Sequence, residues 1–133
     1  MKNLIEIGKN ILNKKYYFLD LIHKNGRLKI ILGHMKKNKI ILDFGKNYVD
    51  YRFSRELYRI NDLKLAGLTD YWPVVEILDS KYLKKLNEES CGLIFSVDKN
   101  ARHFIIYDDD YVIDIIAVDA PKIIFKNNPI MGL

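Results

Sequence analysis

The chain of 133 residues has one cysteine, so no disulfide can form within it and its fold does not depend on an oxidising compartment. That residue, Cys91, lies in Ser90-Cys91-Gly92-Leu93 with none of the local signature of a nucleophile, and it reads as a buried structural thiol. The seven glycines are scattered one to a turn. They form neither the G-x-G-x-x-G spacing nor the G-K-S/T of a phosphate loop, so nucleotide-dependent chemistry has no support and no cofactor is expected. His23, His34 and His103 share no H-x-H, H-x-x-x-H or E-x-x-H spacing, and without such convergence no metal site is expected. Lys9, Asn10 and Asn13 interrupt any apolar run near the start, and no small-residue cleavage site follows; this predicts no targeting segment and a cytoplasmic protein. Charged residues at 29% and a mean hydropathy of −0.13 argue against both a membrane protein and a disordered one.

What is present is a chain suited to a single domain over residues 1–133. Surface scaling lets a domain of this mass bury roughly 68% of its unfolded surface, enough for a core without staples. The net charge of +5 conceals a division. Residues 1–66 carry 15 Lys and Arg against 6 Asp and Glu, a balance of +9, whereas residues 67–133 carry 7 against 11, a balance of −4. Such asymmetry points to two faces with different electrostatic roles.

Patterning predicts an α+β fold: an antiparallel β-sheet meander of seven or eight strands with two short helices packed as a single layer on the sheet. Met1–Lys15 has apolar positions at helical spacing, predicting a short amphipathic helix, with a strand at Leu4–Ile7 as the rival reading. Asn25-Gly26 separates the strand patterns Tyr16–His23 and Arg27–Leu32, and both residues tolerate the positive φ of a type I′ hairpin turn. Gly33–Asn38 reads as a polar turn, and Lys39–Phe44 and Asn47–Phe53 complete a four-strand meander. Ser54–Leu68 reads as a loop with a helical turn, and Val74–Leu78 as a strand. Asp79 or Ser80 can cap a helix over Lys81–Ser90. Leu93–Val97, His103–Tyr107 and Tyr111–Val118 read as strands, Lys122–Phe125 as a last short run, and Lys126–Leu133 as a loose tail.

Two constellations could meet a partner. Asp108, Asp109 and Asp110, followed by Tyr111, form an acidic turn between two strand patterns, without the spaced ligands and closing glutamate of a calcium loop. Lys36, Lys37 and Lys39 lie in the basic half, among further lysines interleaved with Tyr16, Tyr17 and Tyr48. Basic residues beside aromatics can track phosphates and stack bases, so a basic nucleic-acid-binding module is the alternative reading. A small nuclease using His103 as acid or base is a third.

Several short runs carry a resemblance: Phe18-Leu19-Asp20, Ile40–Arg52, Asp79-Ser80-Lys81-Tyr82-Leu83, His103-Phe104-Ile105-Ile106-Tyr107 and Val112-Ile113-Asp114-Ile115-Ile116-Ala117. In this order they resemble small bacterial proteins of toxin immunity, of the contact-dependent inhibition and polymorphic-toxin type. The resemblance implies a non-enzymatic cytoplasmic antitoxin. It would bind a cognate toxin domain, a nuclease in the leading case, by direct protein–protein contact. The family shares no catalytic residue, so none is carried over.

Overall fold

The computed structural model describes residues 4–8, 11–12, 15–34, 38–55 and 73–127. In chain order the described elements are β1 (Leu4–Glu6), β2 (Tyr17–Lys24), β3 (Arg27–His34), β4 (Asn38–Gly45), β5 (Tyr48–Arg55), β6 (Val74–Ile77), α1 (Lys81–Glu89), α2 (Leu93–Val97), β7 (Arg102–Tyr107), β8 (Tyr111–Ala117) and β9 (Lys122–Asn127). The class is α+β, mostly strand, and among the described residues every strand pairing is antiparallel.

The strands divide between two sheets rather than one. A five-stranded sheet runs β1-β6-β7-β8-β5 and a four-stranded sheet runs β2-β3-β4-β9. One core cluster lies between them, with Leu28, Ile30, Leu32, Ile40, Leu42 and Phe44 from one sheet and Val74, Phe104, Ile106, Ile113, Ile115 and Ala117 from the other. These residues alternate along their strands, so each sheet turns one apolar face inward. The Phe44 and Phe104 rings meet across the gap, with centroids 5.7 Å apart.

The Asn25-Gly26 hairpin forms as the sequence predicts, with φ of 55° and 72° at its two central residues and Lys24 opposite Arg27. The four-strand meander does not. Strand β5 leaves the first sheet and pairs with β8, and β9 takes the place beside β4. Ile123, Ile124 and Phe125 sit opposite Leu42, Ile41 and Ile40, a longer apolar match than β5 offers. Within β5 the register shifts between Tyr48 and Asp50. This bulge brings Tyr48 onto the same inward side as Tyr51, where simple alternation would have separated them.

Two other expectations are corrected. The N-terminal helix is replaced by β1, whose Leu4, Ile5 and Glu6 pair with Ile77, Glu76 and Val75. Among the described residues that follow, the Gly8 carbonyl accepts from the N–H groups of Ile11 and Leu12 in a turn, and Leu12 is buried. Leu93–Val97 is the helix α2, not a strand. Cys91 and Gly92, at φ 58° and 81°, turn the chain sharply at the end of α1. The side chains of Ser90 and Asn87 then accept from the N–H groups of Ile94 and Phe95, so local hydrogen bonds override the strand-like composition. Cys91 is exposed, contrary to the buried thiol expected. His34 closes β3 rather than lying in a turn. Most of the expected loop over 54–68 and the end of the expected tail, residues 128–133, lie outside the described residues.

Candidate partner-binding surface

The acidic turn between β7 and β8 is built from one carboxylate that organises it and two that face solvent. Asp108 Oδ1 accepts from the backbone N–H groups of Asp110 and Tyr111 at 2.8 and 2.7 Å, closing the turn. Its other oxygen, Oδ2, accepts from the N–H of Phe18 at 2.7 Å and ties the turn to β2. Asp108 is therefore a structural group. Asp109, with 78% of its side chain exposed, lies 3.0 Å from Lys15 Nζ, and Asp110 is exposed.

Tyr111 is half-buried in an aromatic cluster. The Phe53 ring lies 5.1 Å from both Phe18 and Tyr111, and Phe18 lies 5.5 Å from Tyr111. These rings join β2, β5 and β8 along the side where β2 and β5 are the outer strands of their sheets. The cluster reaches solvent at Phe53, which is 44% exposed; Tyr17 and Leu19, 44% and 41% exposed, lie on the outward face of β2. Leu19 is the extra residue of a bulge in β2, and Tyr17 and Leu19 lie against Gly33, where a Cβ would sit 3.0 Å from each. An exposed apolar centre bordered by charged groups is the anatomy of a protein-binding hot spot. The sequence indicated the acidic turn; it did not indicate Phe18 and Phe53, which are far from it along the chain.

Lys39, the described member of the basic trio, lies on the outward face of the four-stranded sheet opposite Lys126. It is not brought to the acidic turn. Lys36 and Lys37 lie outside the described residues.

The histidines are held by different partners. His34 Nδ1 meets the carbonyl of Lys15 at 2.8 Å, so it donates there. His23 is hydrogen-bonded to the Tyr48 hydroxyl and packs edge-on against Tyr48 and Tyr51. His103 is different. Its Nδ1 lies 2.7 Å from Ser80 Oγ and its Nε2 lies 2.8 Å from Asp114 Oδ1.

Serine, histidine and aspartate are the set that activates a nucleophile. Here the set is enclosed: Ser80 is 6%, His103 4% and Asp114 0% exposed. Ser80 Oγ also accepts from the N–H of Leu83 at 3.0 Å as the N-cap of α1. One protonation pattern satisfies every group: Ser80 donates to Nδ1, and Nε2–H donates to Asp114. The arrangement clamps the start of α1 to β7 and β8. Its members were legible separately, Ser80 as one of two possible caps and Asp114 as an acid, but not as one network.

Arg52 Nη2 reaches Asp114 Oδ2 at 3.5 Å, and the guanidinium lies 4.7 Å from the centre of the Tyr82 ring. The Tyr82 hydroxyl donates to Asp50 Oδ2 at 3.5 Å. Burial, reinforced by the charge of Asp50 and opposed by Arg52, pushes the Tyr82 phenol up to about 12 from an ordinary 10.0. The unfolded chain loses this proton near pH 10 while the folded chain keeps it to about 12. The stability contributed by the neutral phenol is thus complete below pH 10 and lost as pH rises through 12. Urea midpoints measured from pH 9 to 12 should fall less steeply for Tyr82→Phe than for the parent; identical slopes would show that Tyr82 does not carry this dependence.

Among the described residues no group of three or more histidine, cysteine or acidic side chains could hold a metal ion, and no helix is long and apolar enough to cross a membrane. The chain matches no protein-family model. It also matches no solved structure. Among curated proteins it is similar to the probable inorganic carbon transporter subunit DabA of Methylococcus capsulatus (strain ATCC 33009 / NCIMB 11132 / Bath), at 28% identity over 81 residues, 61% of this chain. The match spans 8% of that protein's length.

Proposed function

We propose that this chain is a single-domain, non-enzymatic immunity protein that neutralises a bacterial toxin domain by binding it through the β2/β5 side. The observation that carries the reading is the joining of the acidic turn to the aromatic cluster: Asp108 fixes the turn to β2, so exposed Asp109 and Asp110 adjoin the Phe18–Phe53–Tyr111 rings, of which Phe53 is exposed. Aromatic side chains supply large contact area at small entropy cost, and the carboxylates steer a basic partner. A nuclease domain, whose cleft must attract phosphates, is such a partner. In this frame α1 and α2 form one layer over the five-stranded sheet, away from the toxin. The burial of Ser80 and His103 agrees with a protein that binds rather than turns over a substrate.

The test is co-expression with the C-terminal domain of the protein encoded by the adjacent upstream gene. Growth should be rescued and the two chains should co-purify. Asp109→Lys with Asp110→Lys should slow association about tenfold by reversing the steering field, and Phe53→Ala should weaken the complex by about 2 kcal/mol as loss of a hot-spot anchor. A harmless upstream domain, or the absence of any complex, overturns the reading.

A further inference from the structure

A second surface lies on the outward face of the four-stranded sheet. Register places Ile31, Ile41 and Ile124 side by side across β3, β4 and β9, all half-buried on the side opposite the core. Two residues along the strands on one side lie Lys29 and Lys122, in the same row as Asp43. On the other side Lys39 faces Lys126 directly. Asp43 is already engaged, by Arg27 at 3.7 Å and by the Gly45 N–H at 2.8 Å. The face is thus an isoleucine row between two lysine borders, with exposed Asp20 of β2 at the end of the row, opposite Ile31. Lys122 and Lys126 belong to the acidic half of the sequence, so only the pairing of β9 with β4 completes it.

We propose that this face receives an acidic amphipathic helix of a protein partner. The dimensions match. Neighbouring strands place one isoleucine about every 4.8 Å, and a helix presents one apolar position per turn of about 5.4 Å. The lysine borders lie about 6.6 Å to either side of the row, where carboxylates flanking the apolar stripe of a helix would meet them. The isoleucines sit low among longer lysine side chains. A membrane-binding face instead needs apolar groups that project into the acyl boundary. A track for stacked bases needs successive aromatic rings, and this face has a single one, Tyr17, at its β2 end. The isoleucine row is carried by β3, β4 and β9, with Tyr17 of β2 at the end of the Lys39–Lys126 row across Gly33, and the proposal does not rest on the toxin-binding reading.

The probe is a designed 18-residue peptide with leucines at i, i+3, i+4 and i+7 spacing and glutamates on both flanks. It is compared by fluorescence anisotropy with a scrambled peptide of the same composition, with vesicles of one part phosphatidylglycerol to three of phosphatidylcholine, and with a 20-nucleotide single strand. The amphipathic peptide should bind at least about tenfold more tightly than the other three and gain helical circular dichroism on binding. Lys39→Glu with Lys126→Glu should weaken it about tenfold, leaving the unfolding midpoint and toxin neutralisation unchanged. Equal binding of the scrambled peptide, preference for vesicles or for the oligonucleotide, or undiminished binding by the charge-reversed protein each overturns the proposal.

Discussion

Replacement of His103 by alanine is expected to lower the unfolding free energy by about 3–5 kcal/mol, because it removes one partner of a fully buried carboxylate. Asp114 has no exposure, and the His103 ring supplies it with a hydrogen bond at 2.8 Å. Arg52 is farther away, at 3.5 Å, and is itself partly solvated, so it cannot replace that contact. The same substitution deprives Ser80 Oγ of the acceptor that orients its capping bond to Leu83, loosening the first turn of α1. Denaturant unfolding of the single variants and of His103→Ala with Asp114→Ala gives the decisive comparison. Removing both partners eliminates the orphaned charge, so the double variant should cost less than the two singles together by about 0.5–3 kcal/mol. If the single effects simply add, or His103→Ala costs under about 1 kcal/mol, the network does not hold the helix to the sheet.

Phe104→Ala is expected to be of similar size, about 3–5 kcal/mol, for a different reason. The ring is fully buried at the centre of the core and meets Phe44 across the two sheets. The Arg102 guanidinium lies 5.0 Å from its centre and forms two hydrogen bonds to Glu76, at 2.9 and 2.8 Å, which fix the guanidinium in place. Paired strands on each side cannot collapse easily into the space left, so the cavity should persist. Phe104→Leu, which retains most of the volume, should cost under about 1.5 kcal/mol. Urea midpoints of the two variants separate the cases: a loss as large for leucine as for alanine would show that the strain of any change, rather than the cavity, sets the cost.

These two neighbouring residues show how far the sequence could be read. Alternation along 103–107 identified a strand and could assign Phe104 and Ile106 to one side. It could not say which side faced another sheet and which faced a helix. His103 stood out as a lone titratable residue at a strand's start, which allowed a catalytic reading as easily as a structural one. The informative signal was Asp114, a single carboxylate inside the run Val112–Ala117, since a charge in a buried strand demands a partner. The partner's identity depended on β7 pairing with β8 and on α1 starting beside them.

The candidate surface divides in the same way. Asp108–Tyr111 was legible as an acidic turn, yet Asp108 turned out to hold the turn to β2 while Asp109 and Asp110 face solvent. The charge division into +9 and −4 was a fact of the sequence, but its halves do not map onto two faces, because Lys122 and Lys126 from the acidic half join Lys39 on the four-stranded sheet.

By itself, the sequence determined what depends on neighbours along the chain: the Asn25-Gly26 hairpin, a helix start capped at Asp79 or Ser80, most of the alternating strands and the absence of an internal disulfide. Only the tertiary structure decided which sheet each strand joined, since any apolar edge can pair with another and the best match for β4 lay some eighty residues away in β9. The same long-range choice assembled the Ser80–His103–Asp114 clamp, the aromatic side of β2 and β5, and the lysine-bordered isoleucine row. Each arises from side chains that only strand pairing brings within reach of one another.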